Sequence, residues 1–534
     1  MAQISGLRAE LDKMQKMQEL LYVRGYLITT KEPENLCEYP FYGNWHVKRA
    51  GDYFLCHHKK LSLTTYEKGD RIYFLLGHAY NAFTMETDEG DILRSLSGYE
   101  ADSPDFWRYE SCLTGIYVMG MITQRTVTFW TDCTGMLTCY YGVIDGDFYC
   151  TSHSMLVAET CGLTEDPYVT ELKNYRFYSY FGYNLPADLS PFTELKRITP
   201  NFRYIYDHNL QRIQFGRFYP LRRVRECRNK EEYKKLVSRT AYIMRQSMKA
   251  IARKWPDSAA AISVTGGVDS GMTLASATEE YDAFKYFSYI SNGPEAVDAY
   301  AARDICSALG LPHEIYEIPS SDEEIENIEL YRAILAQNGG NIGGNNSNDV
   351  RKRAFFHQHP KFAVEVKSWV DELGRARYCK RYFGKRHFPK KPNARLCTSL
   401  YKVFVHNRKL VKKTDAVFKD YIQKYLGSET TDVLDWPNAL YWECSWPAGE
   451  GLSMTSEHLF AYDIEIPYNC RSIVTHLLRA PLKYRIEDRL QFDVTRRNNS
   501  ALSKLNIHIV DVKHTPMRAV MERLYLEFNS HLPF

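Results

Sequence analysis

The sequence predicts a mixed α/β and α+β protein: an antiparallel β-rich half, then a parallel-sheet half with a helical C-terminal part. Three observations predict it. From about residue 40 to 215, short β-branched and aromatic runs are separated by turn signals. Beyond about 220, apolar runs alternate with helical patterns, the arrangement of a parallel sheet. Between them in kind is residues 259–274, Ala-Ala-Ala-Ile-Ser-Val-Thr-Gly-Gly-Val-Asp-Ser-Gly-Met-Thr-Leu, which reads as a buried strand, a glycine turn and a helix start.

The bulk properties exclude several classes. A chain of 534 residues has room for two or more domains, and 44 % hydrophobic with 25 % charged residues is ordinary globular composition. A net charge of +3 demands neither nucleic acid nor an anionic membrane as partner. The 13 cysteines form no Cys-x-x-Cys and no tight Cys/His cluster, so reduced thiols are expected rather than a disulfide scaffold or structural zinc. No apolar stretch is long enough to cross a bilayer and no basic-then-apolar leader is visible, so the expectation is a cytoplasmic protein with no membrane partner.

In chain order, Ile4, Leu7, Leu11, Met14 and Leu21 fall at helical spacing and predict one amphipathic helix over residues 4–22. Residues 71–76, 115–119, 126–130 and 148–151 read as strands, with Asp145-Gly146 as a hairpin turn. The β texture stops near residue 218, and Tyr233, Leu236, Ala241, Met244, Met248 and Ile251 then mark a helix over residues 230–254. The domain boundary is placed at 220, giving units 1–220 and 221–534. After the glycine turn come a strand at 283–290, a helix from 294 to Gly310, and a strand at 312–318. Residues 338–349, rich in Asn and Gly, read equally well as a solvated loop or a substrate loop. The basic run from Lys380 to Lys413 reads as a solvated face or an attraction for acidic substrates; no nucleic-acid motif accompanies it.

The glycine turn carries chemistry. Gly266 and Gly267 let backbone N–H groups approach a phosphate, a helix N-terminus follows, and Thr265 and Ser270 add hydroxyls. Asp269 would repel that phosphate unless a cation such as Mg²⁺ lies between them. The stretch resembles the Ser-Gly-Gly-x-Asp-Ser pyrophosphate loop of the N-type ATP pyrophosphatases, with Thr265 for the first Ser. Upstream, Leu113-Thr-Gly-Ile-Tyr-Val, Phe129-Trp-Thr-Asp-Cys-Thr-Gly-Met, Tyr140-Tyr141 and Phe148-Tyr-Cys-Thr-Ser resemble, in order, the class II glutamine amidotransferase domain of asparagine synthetases. Downstream, Asp371-Glu372-Leu373-Gly374 resembles that family's second acidic element, with Lys367-Ser368-Trp369 where it has glycines. Residues 461–471 resemble a later element, with Pro467 and an aromatic at Tyr468 followed by Asn469, and with Glu465 in place of Arg and Cys470 in place of Asp.

The resemblance implies an αββα Ntn-hydrolase-like sandwich followed by an adenine nucleotide α-hydrolase-like domain, with ATP and Mg²⁺ as cofactors. It implies nucleotide contacts from Val264, Thr265, Gly266, Gly267, Val268, Asp269 and Ser270, with Ser288 and Tyr289 (beside Phe287) near the base, and metal contacts from Asp269 and Asp371. It also implies a transition-state cation on the segment carrying Lys483, Arg485 and Arg489; Lys483 and Arg489 are taken as the catalytic candidates. The family's glutaminase nucleophile is an N-terminal Cys. Here position 2 is Ala and the first cysteine is Cys37, so glutamine-derived ammonia is not expected. The implied activity is ATP-dependent amide formation through an acyl-adenylate, as in the β-lactam synthetases and lasso-peptide cyclases that lack that Cys. The substrates would be a small-molecule or peptide carboxylate and an amine, with a homodimer compatible. The alternatives are an asparagine synthetase-like enzyme using free ammonia, and an inactive nucleotide-binding scaffold.

Overall fold

The computed structural model describes residues 2–33, 41–257, 259–343, 346–380, 388–404, 407–505 and 516–530. Twelve strands fill the first half: β1 (Tyr26–Thr29), β2 (Trp45–Ala50), β3 (Tyr53–His58), β4 (Leu63–Lys68), β5 (Arg71–Asn81), β6 (Leu113–Ile122), β7 (Thr126–Thr131), β8 (Tyr140–Ile144), β9 (Asp147–Thr151), β10 (Lys196–Arg197), β11 (Phe202–Asp207) and β12 (Arg212–Arg217). They form two antiparallel sheets, ordered β10-β8-β9-β1-β3-β2 and β12-β11-β7-β6-β5-β4. β8 and β9 are joined through Asp145 (φ 52°) and Gly146 (φ 89°). Two left-handed residues in succession match the right-handed twist of a hairpin.

The two sheets pack face to face through aromatic side chains at alternating positions. Tyr206 of β11 stacks on Phe148 of β9 with ring centroids 4.6 Å apart, and Phe129 of β7 lies 5.7 Å from Phe148. Phe202, Tyr204 and Tyr206 are buried while Arg203, Ile205 and Asp207 are only partly so, the period of a strand covered on one face.

The second half is built on a parallel sheet: β13 (Ala260–Ser263), β14 (Lys285–Ile290), β15 (His313–Glu317), β16 (Val364–Val366) and β17 (Asp463–Glu465), ordered β15-β14-β13-β16-β17. β13 is central and apolar over Ala260–Ile262, all buried, which suits a strand covered on both faces. The chain moves outward through β14 and β15, then returns to β16 on the far side of β13. The order therefore reverses between β13 and β16, and ligands in such sheets bind at the C-terminal ends of the strands flanking that point. The helix Lys230–Lys254 is N-capped by Asn229, whose side chain accepts from Glu232 N–H, and buries Tyr233, Leu236, Ala241, Met244, Met248 and Ile251.

One expectation changes. The pattern over residues 4–22 predicts a single helix, but the chain forms Ala2–Lys13 and Gln15–Gln18, broken at Met14 (φ −122°, ψ 69°). Packing overrides periodicity: Leu20, Leu21 and Tyr22 bury against Tyr331, Ile334 and Leu335. Asn338, at the start of the Asn/Gly-rich segment, clasps this turn, accepting from Tyr22 N–H at 2.8 Å and donating to the Leu20 carbonyl at 3.0 Å. Residues 344 and 345 of that segment, and residues 381–387 of the basic run, lie outside the described residues. Within that run Lys380 pairs with Asp488 and Arg395 with Asp415.

The halves meet across a buried polar seam. Arg471, about 0 % exposed, donates to Glu110 at 2.7 Å, Asn201 at 3.0 Å and the Thr131 carbonyl at 2.8 Å. Asn201 donates in turn to Glu443 at 2.8 Å, and Arg217 grips Glu443 with two bonds of 2.8 and 2.6 Å. No helix among the described residues is long and apolar enough to cross a membrane.

Candidate active site

The loop after β13 turns directly into the helix Val268–Ser276. The Ser270 hydroxyl accepts from Thr265 N–H at 2.9 Å, and the Thr265 hydroxyl accepts from Gly267 N–H at 3.2 Å, which fixes the turn. Gly267 is the N-cap and supplies no side-chain acceptor, so the first-turn N–H groups lack the usual cap. Tyr468 buttresses the helix from behind: its hydroxyl lies 2.9 Å from Thr273 Oγ1 and donates to the Asp269 carbonyl at 3.3 Å.

At the end of β16 the chain enters a short 3-10 helix, Asp371–Arg375, immediately after Val370 at φ 79°. A β-branched residue in the left-handed region costs on the order of 1–3 kcal/mol and persists where surrounding structure imposes it. The strained residue sits next to Asp371, on the strand across the switch point from the glycine loop.

Asp269 and Asp371 come together there. Asp371 is fully buried and accepts two bonds from Gln491 Nε2 at 3.1 and 3.0 Å. Burial and the adjoining Asp269 carboxylate push Asp371 well above the ordinary carboxylate range. The same causes raise Glu372 to about 8. Arg375 Nη1 donates to Asp269 Oδ2 at 2.7 Å, while its Nε and Nη2 hold Asp488 at 2.9 and 3.1 Å. Lys380 also reaches Asp488, at 2.5 Å. Four carboxyl groups, of Asp269, Asp371, Glu372 and Asp488, thus share two cations, and without further positive charge the raised pair, Asp371 and Glu372, is driven toward the neutral form. The neighbouring Arg377 and Glu450 offset one another and leave that imbalance unchanged. Asp269 Oδ1 and Glu372 Oε2 are buried with no hydrogen-bond partner among the described residues.

That donor set suits a divalent cation of the Mg²⁺ type. Among the described residues, no three His, Cys, Asp or Glu side chains converge as a self-sufficient metal cage. Mg²⁺ does not need one, since it is commonly held by one or two carboxylates plus substrate phosphates and water. The unpartnered Asp269 oxygen and the missing positive charge are the local signs that fit it.

On the other side of the loop, Ser288 donates to the Val264 carbonyl at 2.7 Å and lies 2.9 Å from His313 Nε2. Lys352 Nζ sits 4.3 Å above the Tyr289 ring and donates to Glu295 at 3.1 Å. Val264 to Ser270, Ser288 and Tyr289 therefore occupy adjoining strand ends, with Asp371 across the switch point. Lys483 is exposed; Arg489 is also exposed, stacked on Tyr484 at 4.2 Å and 3.6 Å from Asp493. The cations that reach the carboxylates are Lys380, the first residue of the basic run, and Arg375, which sequence reasoning did not single out. Arg375 closes the very run that marked Asp371, so its signal was present; Asp488 and Gln491 carried none.

In the first half, Cys37 lies outside the described residues. The next cysteine, Cys56, is buried in β3 with its thiol pushed up to about 12 by burial, an inert rather than a nucleophilic setting.

No family model matches the chain, and no curated protein matches it. Among solved structures, "Structure of the allosteric regulatory enzyme of purine biosynthesis" aligns at 12 % identity over 56 % of this chain and 60 % of that one, with a TM-score of 0.25. A glutamine phosphoribosylpyrophosphate amidotransferase from B. subtilis, complexed with ADP and GMP, aligns at 9 % identity over 57 % and 61 %, with a TM-score of 0.21. The chain spans about three-fifths of the length of each. Superpositions this loose say nothing about the activity of this chain.

Proposed function

We propose that the protein is an ATP-dependent, AMP-forming ligase that makes an amide from a carboxylate and an amine. One observation carries the reading: a charge-deficient carboxylate cluster lies across a topological switch point from an uncapped glycine loop at a helix N-terminus. In this reading the substrate carboxylate attacks the α-phosphorus of ATP, the bond to the bridging oxygen breaks, and pyrophosphate leaves. The amine then attacks the acyl carbon, loses a proton, and expels AMP. The loop N–H groups and the Thr265 and Ser270 hydroxyls orient the phosphates, and Arg375 and Lys380 supply positive charge beside them. Mg²⁺, held by Asp269 and Asp371, supplies charge neutralisation of the phosphates when bound. Such transfers gain most of their rate from positioning and electrostatics, which this set of groups can provide. Residues 1–220 would then be an amidotransferase-like half without glutaminase activity, and residues 221–534 the synthetase-like half.

The test is ATP binding with and without Mg²⁺, then product analysis with panels of carboxylic acids and amines. AMP and pyrophosphate are expected, with no stimulation by glutamine; ADP and phosphate as products, or no Mg²⁺-dependent ATP binding at all, would overturn the reading. A second reading, a nucleotide-binding scaffold without catalysis, draws on the Arg375 guanidinium lying on Asp269 Oδ2. The two part at Arg375→Gln: a scaffold keeps or gains ATP affinity with no product from any pair, whereas a ligase loses turnover that the wild type has.

A further inference from the structure

A second feature lies outside that centre. A recess of about 230 Å³ is lined by Arg223, Arg225, Glu226, Asp435, Asn438 and Arg485 over a floor of Val224, Leu434 and Leu478. Its innermost group is Arg485, with a side chain 5 % exposed. Among the described residues, Arg485 makes only long contacts, to Asn438 at 3.3 Å and Glu226 at 3.4 Å, and its buried Nε has no partner. Arg471, buried to the same degree, donates from Nε, Nη1 and Nη2 at 3.0, 2.7 and 2.8 Å. Burial outweighs the acids near Arg485 and pulls its pKa down, while Glu110 holds that of Arg471 up. A buried guanidinium with an unmade bond costs free energy that an arriving acceptor would restore.

The rim adds to this. Arg225 is exposed and has no partner among the described residues. Arg223 is anchored to the Thr431 and Asp432 carbonyls at 2.8 and 3.1 Å and reaches Asp435 at 3.2 Å. Three arginines thus surround the recess against the two carboxylates of Glu226 and Asp435. Guanidinium forks match the oxygens of an oxyanion in pairs, and one positive charge remains over for it.

We propose that this recess binds a small oxyanion of the phosphate class, gripped by Arg485 from within and by Arg225 from the rim. Binding gives the Arg485 guanidinium a close acceptor in place of its long contacts to Asn438 and Glu226. The recess shares no lining residue with the glycine loop, whose own affinity for phosphate has to be silenced in the test. Gly267→Asp does so: the position is extended (φ −77°, ψ 158°), accepts a side chain as N-cap, and places a negative charge in the loop. Inorganic phosphate is titrated calorimetrically into the Gly267→Asp protein at constant ionic strength, alone and combined with Arg225→Ala or Arg485→Gln. Each charge-assisted bond lost should weaken binding by roughly tenfold or more. A phosphate affinity unchanged by Arg225→Ala, or no phosphate binding by the Gly267→Asp protein, overturns the proposal. Arg225 is exposed, so its replacement reads out binding even if Arg485→Gln fails to fold.

Discussion

Two buried charge networks in this molecule look alike in composition and differ in arithmetic. At the seam between the halves, Glu110, Arg471, Asn201, Glu443 and Arg217 form a chain in which two carboxylates meet two guanidiniums. At the switch point of the parallel sheet, Asp269, Asp371, Glu372 and Asp488 meet only Arg375 and Lys380. Taking charges out of water is repaid only by close pairing. The first network is closed by pairs within the chain: Arg471 holds Glu110 and Arg217 holds Glu443, while the adjoining Asp132 is satisfied by Asn469 and backbone N–H groups, and Glu110 Oε2 is left without a partner among the described residues. The second is short of positive charge, and a short network at the C-terminal strand ends is one that expects a ligand.

The largest break in that comparison is Arg471→Ala. It strands Glu110 as an uncompensated buried charge, so unfolding in urea should show a loss of about 3–5 kcal/mol; a loss under about 1 kcal/mol would make the seam no better balanced than the switch point. The opposite is expected of Asp371→Asn. Removing one carboxylate from an over-acidic cluster should leave stability unchanged or raise it by about 1 kcal/mol. Mg²⁺-dependent ATP binding should nonetheless weaken by roughly a hundredfold, about 2.7 kcal/mol. Clear destabilisation would mean that the cluster is structural after all.

Lys402 offers the reverse imbalance, a fully buried cation with no acid partner among the described residues, bonded to Asn184 Oδ1 at 3.0 Å and lying 5.0 Å from the Tyr178 ring. Burial pulls it down to about 7 from its ordinary 10.5. Between about pH 7 and pH 10 the unfolded chain therefore holds a proton that the folded one lacks, and stability should rise with pH across that window by on the order of 2 kcal/mol or more. The slope should vanish in Lys402→Met; its persistence there would assign it to other groups. The smallest effect is expected at Val370. Val370→Gly relieves the left-handed strain but gives up a fully buried side chain and frees the unfolded chain, so the terms nearly cancel, for a net loss of about 1 kcal/mol. A clear gain would mean that the backbone strain costs more than the Val370 side chain contributes.

Much of the scaffold is legible in the sequence because it rests on local patterns. The hairpin at Asp145-Gly146, the helix Lys230–Lys254 and the strand, turn and helix around Gly266 are each specified by residues within a few positions of one another. Asp269 and Asp371 are legible for the same reason, each beside a turn signal. Asp488 and Gln491 are not, because their meaning arises only when the helix Arg489–Asn498 is laid against the helix after the glycine loop. The break at Met14 is invisible too: the helical period runs on through it, and only the burial of Tyr22 and its bond to Asn338 end the helix.

Tyr468 and Asn469 are neighbours in sequence with opposite allegiances. Tyr468 holds Thr273 and the Asp269 carbonyl under the glycine loop, while Asn469 donates to the Gly115 carbonyl at 2.7 Å and to Asp132 at 3.0 Å in the antiparallel half. One peptide unit is therefore a rivet driven through both plates. A load that shifts β6 is delivered within two residues to the phosphate loop, and cutting the chain near residue 220 would leave the rivet in one piece and its seat at Gly115 and Asp132 in the other.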